Sequence, residues 1–346
     1  RVTHVGMVTP NIVSVTLEDG YVEYGRQMPY ARQPGDVVDT SSHHRWLLRD
    51  GVAVGALAGV RQDTLWQFDQ LRAEPFDAAY LDSPSSYTLT RAHTGAAATP
   101  ARVHRKSKPS DFGRVEPWAF GTPATHTVYL AFDEALANAH DYALSFADEA
   151  LPPQSFNTDH GALRSEAVHV SHIGFRPDDP AKVAFLSCWM GDGGAVAYEP
   201  DMQFVIIDTA SGEFALRGRT DLSKAADDLT EDPYNRNYNG VDVYAIDFSA
   251  LTTPGVYHVA VEGVGCSYPF RIGEDVWKDA SVTSARGLYH PRSGIALGPP
   301  HPDFARPRTF HPADRLPVSE STAPLLDTGH GLNRSDSHFG APLIGR

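Results

Sequence analysis

Val241-Asp-Val-Tyr-Ala-Ile-Asp-Phe-Ser-Ala-Leu-Thr-Thr-Pro-Gly-Val-Tyr-His-Val-Ala-Val261 reads as two strands and the corner that joins them. Val241–Ile246 and Val256–Val261 alternate in polarity, so successive side chains face opposite sides of a sheet. Pro254-Gly255 interrupts the run between them, and Leu251 is the apolar residue that the corner should bury. The same pattern stands 115 residues earlier. Val128-Tyr129 matches Val243-Tyr244, Leu136 matches Leu251, and Tyr142 matches Tyr257. A second echo, Val2-Thr-His-Val-Gly6 against Val170-Ser-His-Ile-Gly174, has an offset of 168. The offsets differ by 53, which places about that many extra residues in the first copy.

Working outward, further strands are expected at Ile12–Leu17, Val52–Leu57, Thr127–Phe132, Tyr142–Phe146, Val183–Ser187 and Phe204–Ile207. Glycine (29 residues) and proline (26) make up about a sixth of the chain and punctuate these runs. Short strands separated by turns favour β-sandwiches. The chain is therefore expected to be mainly β, with two consecutive immunoglobulin-like β-sandwiches over about 1–162 and 163–272. After Ile272 the period changes. Trp277, Ala280, Ser281, Ser284, Ala285, Leu288 and Tyr289 fall at helical spacing, and Pro291 ends the helix. Residues 291–346 carry many Pro, Gly and His and read as loop, Ser335–Arg346 included.

Composition excludes several function classes. The 346 residues hold 29 Lys+Arg against 43 Asp+Glu, a net charge of −14, which opposes a nucleic-acid partner. No run reaches the 18 apolar residues of a membrane span. Two cysteines exclude a disulfide scaffold and a four-cysteine zinc site. The chain starts at Arg1 with no signal-peptide pattern and is expected to be a fragment or processed product, so compartment is not directly readable.

The candidate chemistry is sparse. His290, His301, His311, His330 and His338 crowd the tail, but none forms a His-x₃-His pair, and they read as surface histidines. Asn235, Asn237, Asn239 and Gly240 mimic part of a calcium loop, yet the twelfth position is Ile246 in place of a bidentate Glu, so a turn is expected. Arg102, Arg105, Lys106 and Lys108 form a small basic cluster that reads as solvated or, alternatively, as an acidic-glycan site. Cys188 and Cys266 read as ordinary thiols. Trp189, Tyr198, Tyr234, Tyr238, Tyr244, Tyr257, Tyr268, Trp277 and Tyr289 are core or interface residues, or else a platform on which sugar rings stack. No nucleophile elbow, phosphate loop, zinc-protease helix or convincing carboxylate pair is present.

Residues of about 165–320 also carry a resemblance. Val170-Ser-His-Ile-Gly-Phe-Arg-Pro177, Phe204-Val-Ile-Ile-Asp-Thr-Ala-Ser-Gly212, Tyr244-Ala-Ile-Asp-Phe-Ser249 and Ser267-Tyr-Pro-Phe-Arg-Ile272 resemble, in order and spacing, the immunoglobulin-like domain of glycoside hydrolase family 9, the cellulase family. Ala285-Arg-Gly-Leu-Tyr-His-Pro-Arg-Ser-Gly294 and Phe304-Ala-Arg-Pro-Arg-Thr-Phe-His311 resemble the first helix and following loop of that family's (α/α)₆ barrel. The resemblance implies three parts: a 1–162 sandwich of unassigned role, a 163–272 immunoglobulin-like domain, and a 273–346 truncated barrel start. The family's catalytic base lies in an Asp-Ala-Gly-Asp motif and its acid is a later Glu. Neither motif occurs here, so no catalytic residue is carried over and the chain is expected to be inactive alone. Of the family's zinc ligands only His311 matches, because Ser293 and Phe310 stand where cysteines would, so neither zinc nor another cofactor is expected. Arg306, Arg308 and His311 are the substrate-cleft candidates that the resemblance implies. It also implies a polysaccharide substrate, a contact with the catalytic barrel, and a secreted or periplasmic parent that cleaves with inversion. The rival reading is a glycan-binding or adhesive module without catalysis.

Overall fold

The computed structural model describes residues 1–346 except 42–43, 60, 231–233, 303, 312, 314–317, 322–338 and 344–346. His330 and His338 lie outside the described residues.

All eight expected strands form, within a residue or a few of their expected ends. The first sandwich has β1 (Val2–Thr9), β2 (Ile12–Glu18), β3 (Tyr87–Arg91), β4 (Ala97–Ala98), β5 (Arg102–Pro109), β6 (Ala124–Ala131), β7 (Asp141–Phe146) and β8 (Gln154–Asn157). They pair antiparallel as β1-β2-β6-β5 and β4-β3-β7-β8. The second has β9 (Val168–His169), β10 (Val183–Leu186), β11 (Gln203–Asp208), β12 (Phe214–Arg219), β13 (Asp221–Lys224), β14 (Val243–Asp247), β15 (Gly255–Val261), β16 (Gly265–Cys266) and β17 (Phe270–Ile272). Its sheets run β9-β10-β14-β13 and β12-β11-β15-β16, and β17 also pairs with β15. The two strand orders are the same, β9 to β16 each standing eight labels after a counterpart in the first sandwich, with β17 an addition.

The repeated residues occupy equivalent places. Tyr129 and Tyr244 are buried on β6 and β14, and Leu136 and Leu251 are buried in the corners that follow. Each corner is tied by the tyrosine that opens the next strand. The Tyr142 hydroxyl accepts from the Ala137 amide at 3.1 Å, and the Tyr257 hydroxyl donates to the Thr253 carbonyl at 3.1 Å. The added length of the first copy lies between β2 and β3, over 19–86, where the second copy has only 187–202. That insertion contains a five-stranded antiparallel sheet in the order Gln27–Pro29, Thr64–Gln67, Val52–Ala58, Trp46–Arg49, Asp36–Asp39. Gly20–Glu23 and Gln70–Ala73 pair as its stem, and a one-turn helix α1 (Ala78–Leu81) follows.

Each sandwich closes on its own core, and one sheet serves both. Met7, Val13, Val15, Val128 and Leu130 face Leu89, Tyr142 and Leu144 inside the first sandwich. Their alternate neighbours Val8 and Tyr129 join the core of the second, with Leu186, Ile206, Tyr244 and Val259. Both faces of the β1-β2-β6 strands are thus covered, which explains the unbroken apolar run Val128–Phe132.

Contact clustering sets off a second unit, Asp275–Arg346. Within it α2 (Lys278–Tyr289) matches the expected helix. None of its residues is buried, and Leu288 is 77% exposed. The loop reading of Ser335–Arg346 needs correction: Phe339–Leu343 pairs antiparallel with Val318–Ser321. That pairing joins segments distant in sequence, which local turn chemistry does not reveal.

The inserted sheet has a small core of Leu47, Leu57 and Leu65. One buried carboxylate ties together its edge. Asp36 accepts from Arg49 Nε and Nη2 at 2.8 and 3.2 Å, from the Tyr30 hydroxyl at 3.0 Å and from the Gln33 amide at 3.0 Å. The Arg49 hydrogen bonds foremost hold its pKa at about 2, below the ordinary 3.8. A depressed carboxylate stabilises the fold above its unfolded pKa and ceases to do so as pH falls through the folded one. Between pH 4 and pH 2 the amide cross-peaks of residues 27–67 should therefore weaken. Asp36→Asn should raise hydrogen exchange in that segment at neutral pH while β6 stays protected.

Candidate functional site

The cleft candidates lie in the second unit and are held by their own loop. Arg306 exchanges backbone hydrogen bonds with Leu297 at 2.9 and 3.0 Å, and its guanidinium donates to the Arg292 carbonyl. The Nε of Arg306 is buried without a partner. Arg308 is also engaged. His311 accepts at Nδ1 from the Ala313 amide at 3.1 Å, and the Gly294 amide donates to the Thr309 carbonyl at 2.7 Å. The segments that carry Arg292, Gly294, Arg306 and His311 are therefore strapped into one local structure.

The other candidates resolve into ordinary roles or regroup. Among the described residues no three His, Cys, Asp or Glu side chains come together as a metal site. Asn237 accepts from the Asn239 and Gly240 amides and donates to the Ala225 and Ala226 carbonyls, which makes the calcium-like stretch a side-chain-stapled turn. Ile246 is in the core. Tyr198, Tyr244 and Tyr257 are buried, whereas Trp189, Tyr234, Tyr238, Tyr268 and Trp277 are exposed. Cys188 and Cys266 are free and buried.

The basic cluster lies on β5, an edge strand that faces the second sandwich, and two of its charges are matched. Arg105 grips Asp82 through Nε and Nη2 at 2.7 and 3.0 Å. Lys106 donates to Glu166 at 2.9 Å and to the Trp189 carbonyl at 3.2 Å. The buried Tyr129 hydroxyl donates to the other Glu166 oxygen and lies 3.4 Å from the same carbonyl. A residue of each strand β5 and β6 therefore converges on Glu166, which precedes β9. Two backbone contacts extend the joint. Ser165 Oγ donates to the Met7 carbonyl at 2.5 Å and Tyr198 to the Val8 carbonyl at 3.0 Å. Burial pushes the Tyr129 phenol well above its ordinary pKa, so it stays a donor, and raises the Cys188 thiol to about 12.

Beside this joint lies a groove of about 460 Å³ lined by Lys106, Glu166, Phe185, Trp189 and Asn239 among others. Trp189 and Lys106 were both singled out in the sequence, and the fold brings them together; Asn239, named there only for the calcium-like turn, joins them, while Glu166 and Phe185 were not among the candidates. The available signal for Phe185 is its parity on β10, where Ala184 and Leu186 are buried and Phe185 takes the outer face.

Comparison with protein families matches residues 164–266 to the cellulase N-terminal ig-like domain. Endoglucanase D of Acetivibrio thermocellus is 42% identical over 55 residues, which is 16% of this chain and 9% of that protein. Among solved structures, a metagenome-derived glycoside hydrolase family 9 endoglucanase superposes with a TM-score of 0.33 at 22% identity. It covers 46% of this chain and 26% of its own. A Bacteroides ovatus GH9 structure has the same TM-score and identity over 46% of this chain and 25% of that one. Residues 164–266 are thus similar to an ig-like domain of the cellulase N-terminal type, and the match spans under a tenth of the Endoglucanase D chain.

Tyr129→Phe removes a donor from a half-buried carboxylate, and chemical denaturation should show a loss of about 1–3 kcal/mol. Burial also raises the Cys266 thiol, to about 11. Both thiols should therefore resist iodoacetamide at pH 8 in the native protein and react once it is denatured, as mass spectrometry would show.

Proposed function

We propose that the chain is the non-catalytic N-terminal portion of a glycoside hydrolase family 9-like protein that cleaves a polysaccharide such as a β-glucan. The observation that carries this reading is the match of residues 164–266 to the cellulase N-terminal ig-like domain. The parts are a 1–162 sandwich, a 163–272 ig-like domain, and a 273–346 segment that begins an (α/α)₆ barrel. The ig-like domain braces that barrel. The exposed Trp277 and Leu288, which fall on one face of the helix at and beyond the start of α2, support this role, since exposed apolar side chains on one helix face call for a packing partner.

In the parent, one carboxylate activates water and a second protonates the leaving oxygen, about 6.5–9.5 Å apart, and the anomeric centre inverts. This chain contributes the scaffold, with Arg306, Arg308 and His311 lining the cleft from their strapped loop. The parent is secreted or periplasmic. No helix among the described residues is long and apolar enough to cross a membrane. The second reading, a glycan-binding module without catalysis, is favoured by the groove beside Glu166 and shares its polymer class with the first.

A reducing-sugar assay on barley β-glucan or carboxymethylcellulose tests the assignment. The 346-residue chain should release nothing above the blank, and turnover by the purified chain would overturn the non-catalytic role.

A further inference from the structure

We propose that the outer face of the β9-β10-β14-β13 sheet, where it meets β5, binds a strand of neutral polysaccharide, with Phe185 and Trp189 as its stacking surfaces. Alternation along β10 sends Ala184 and Leu186 into the core and leaves Phe185 outside, 39% exposed. Its neighbours across the sheet are His169 on β9 and Ala245 on β14. The small Ala245 and Ser187 leave the floor beside the ring low. Trp189, 46% exposed, stands two alternations further along, about 13 Å of extended chain from Phe185.

The backbone that carries the indole is held before any ligand arrives. The Trp189 carbonyl takes the Lys106 hydrogen bond, and its backbone bridges to Ala195. Gly240, at φ +65°, lies beside the ring, where a Cβ would be in ordinary van der Waals contact with it at 3.4 Å. A pre-positioned ring loses little freedom on binding, so more of the stacking energy appears as affinity.

The polar lining selects the ligand class. Between and beside the rings lie the Glu166 carboxylate, the Asn239 amide and the Ser187 hydroxyl. A sugar presents C–H faces to aromatic rings and hydroxyls to such groups at its edges. A purely apolar ligand would strip water from the Asn239 amide and the Ser187 hydroxyl without replacing it, at a penalty in affinity. A sulfated or uronate chain would need free cations, yet Lys106 is already paired with Glu166 at 2.9 Å. A neutral chain fits both the rings and this balance of charge.

The proposal deepens the function above and rests on it for the choice of β-glucan as first probe. Affinity electrophoresis of the full 346-residue chain in gels containing barley β-glucan, hydroxyethylcellulose, xyloglucan or galactomannan tests it. At least one of these should retard the protein. Trp189→Ala should weaken retardation about tenfold. Phe185→Ala, which removes a ring outside the core, should weaken it severalfold, and Trp189→Phe should retain most of it. Phe214→Ala, at a 55% exposed ring on the other sheet, should change nothing. Melting temperatures of the variants separate loss of binding from loss of fold. No retardation by any neutral glycan would overturn the site. So would retardation that both alanine variants keep, retardation only by pectate or heparin, or a self-associated dimer whose dissociation requires the same two rings. Sugar release by the chain would defeat the non-catalytic reading and leave the groove standing, whereas absent retardation would defeat the groove and leave the family match intact.

Discussion

One sheet with two buried faces governs this molecule. In β1 and β6, alternate side chains enter different cores: Met7, Val128 and Leu130 the first, Val8 and Tyr129 the second. Burial of a large aliphatic side chain contributes about 1.5–3 kcal/mol. The strands that close the first sandwich therefore also contribute to the stability of the second. A linker alone would leave two domains free to move, whereas a shared sheet makes their relation part of the core.

Polar chemistry at the joint follows from that sharing. Tyr129 reaches the second core from a strand of the first sandwich, so its hydroxyl arrives in a place without bulk water and needs an acceptor. Glu166 supplies it and is in turn paired by Lys106. Burying a carboxylate is tolerable only with such partners. The same triad fixes the Trp189 carbonyl, and with it the backbone that carries the ring beside the groove. Local order at the groove is thus a by-product of how the sandwiches are joined.

A repeated strand order and one insertion account for the rest of the architecture. The two strand orders coincide, and the extra residues of the first copy are confined to one connection, where they build a separate small sheet. A surface connection tolerates such growth because lengthening a loop raises its closure entropy only slowly. The inserted sheet, with few core residues, depends on the hydrogen bonds to Asp36 for part of its order.

The amino-acid sequence by itself determined eight of the strands, the two-copy pattern, the helix after Trp277, and the presence of some 50 extra residues in the first copy. Each of these is written in local periodicity or in a fixed offset, which a chain expresses without knowing its neighbours. Tertiary structure alone decided that Lys106, Glu166 and Trp189 meet, that Phe185 faces outward beside them, and that Phe339–Leu343 finds Val318–Ser321. Those contacts join residues that are far apart in the chain or that depend on which face of a sheet is covered. Val8 and Tyr129 show why: their alternation was visible, but only the packed fold assigns one face of the strand to the first core and the other to the second.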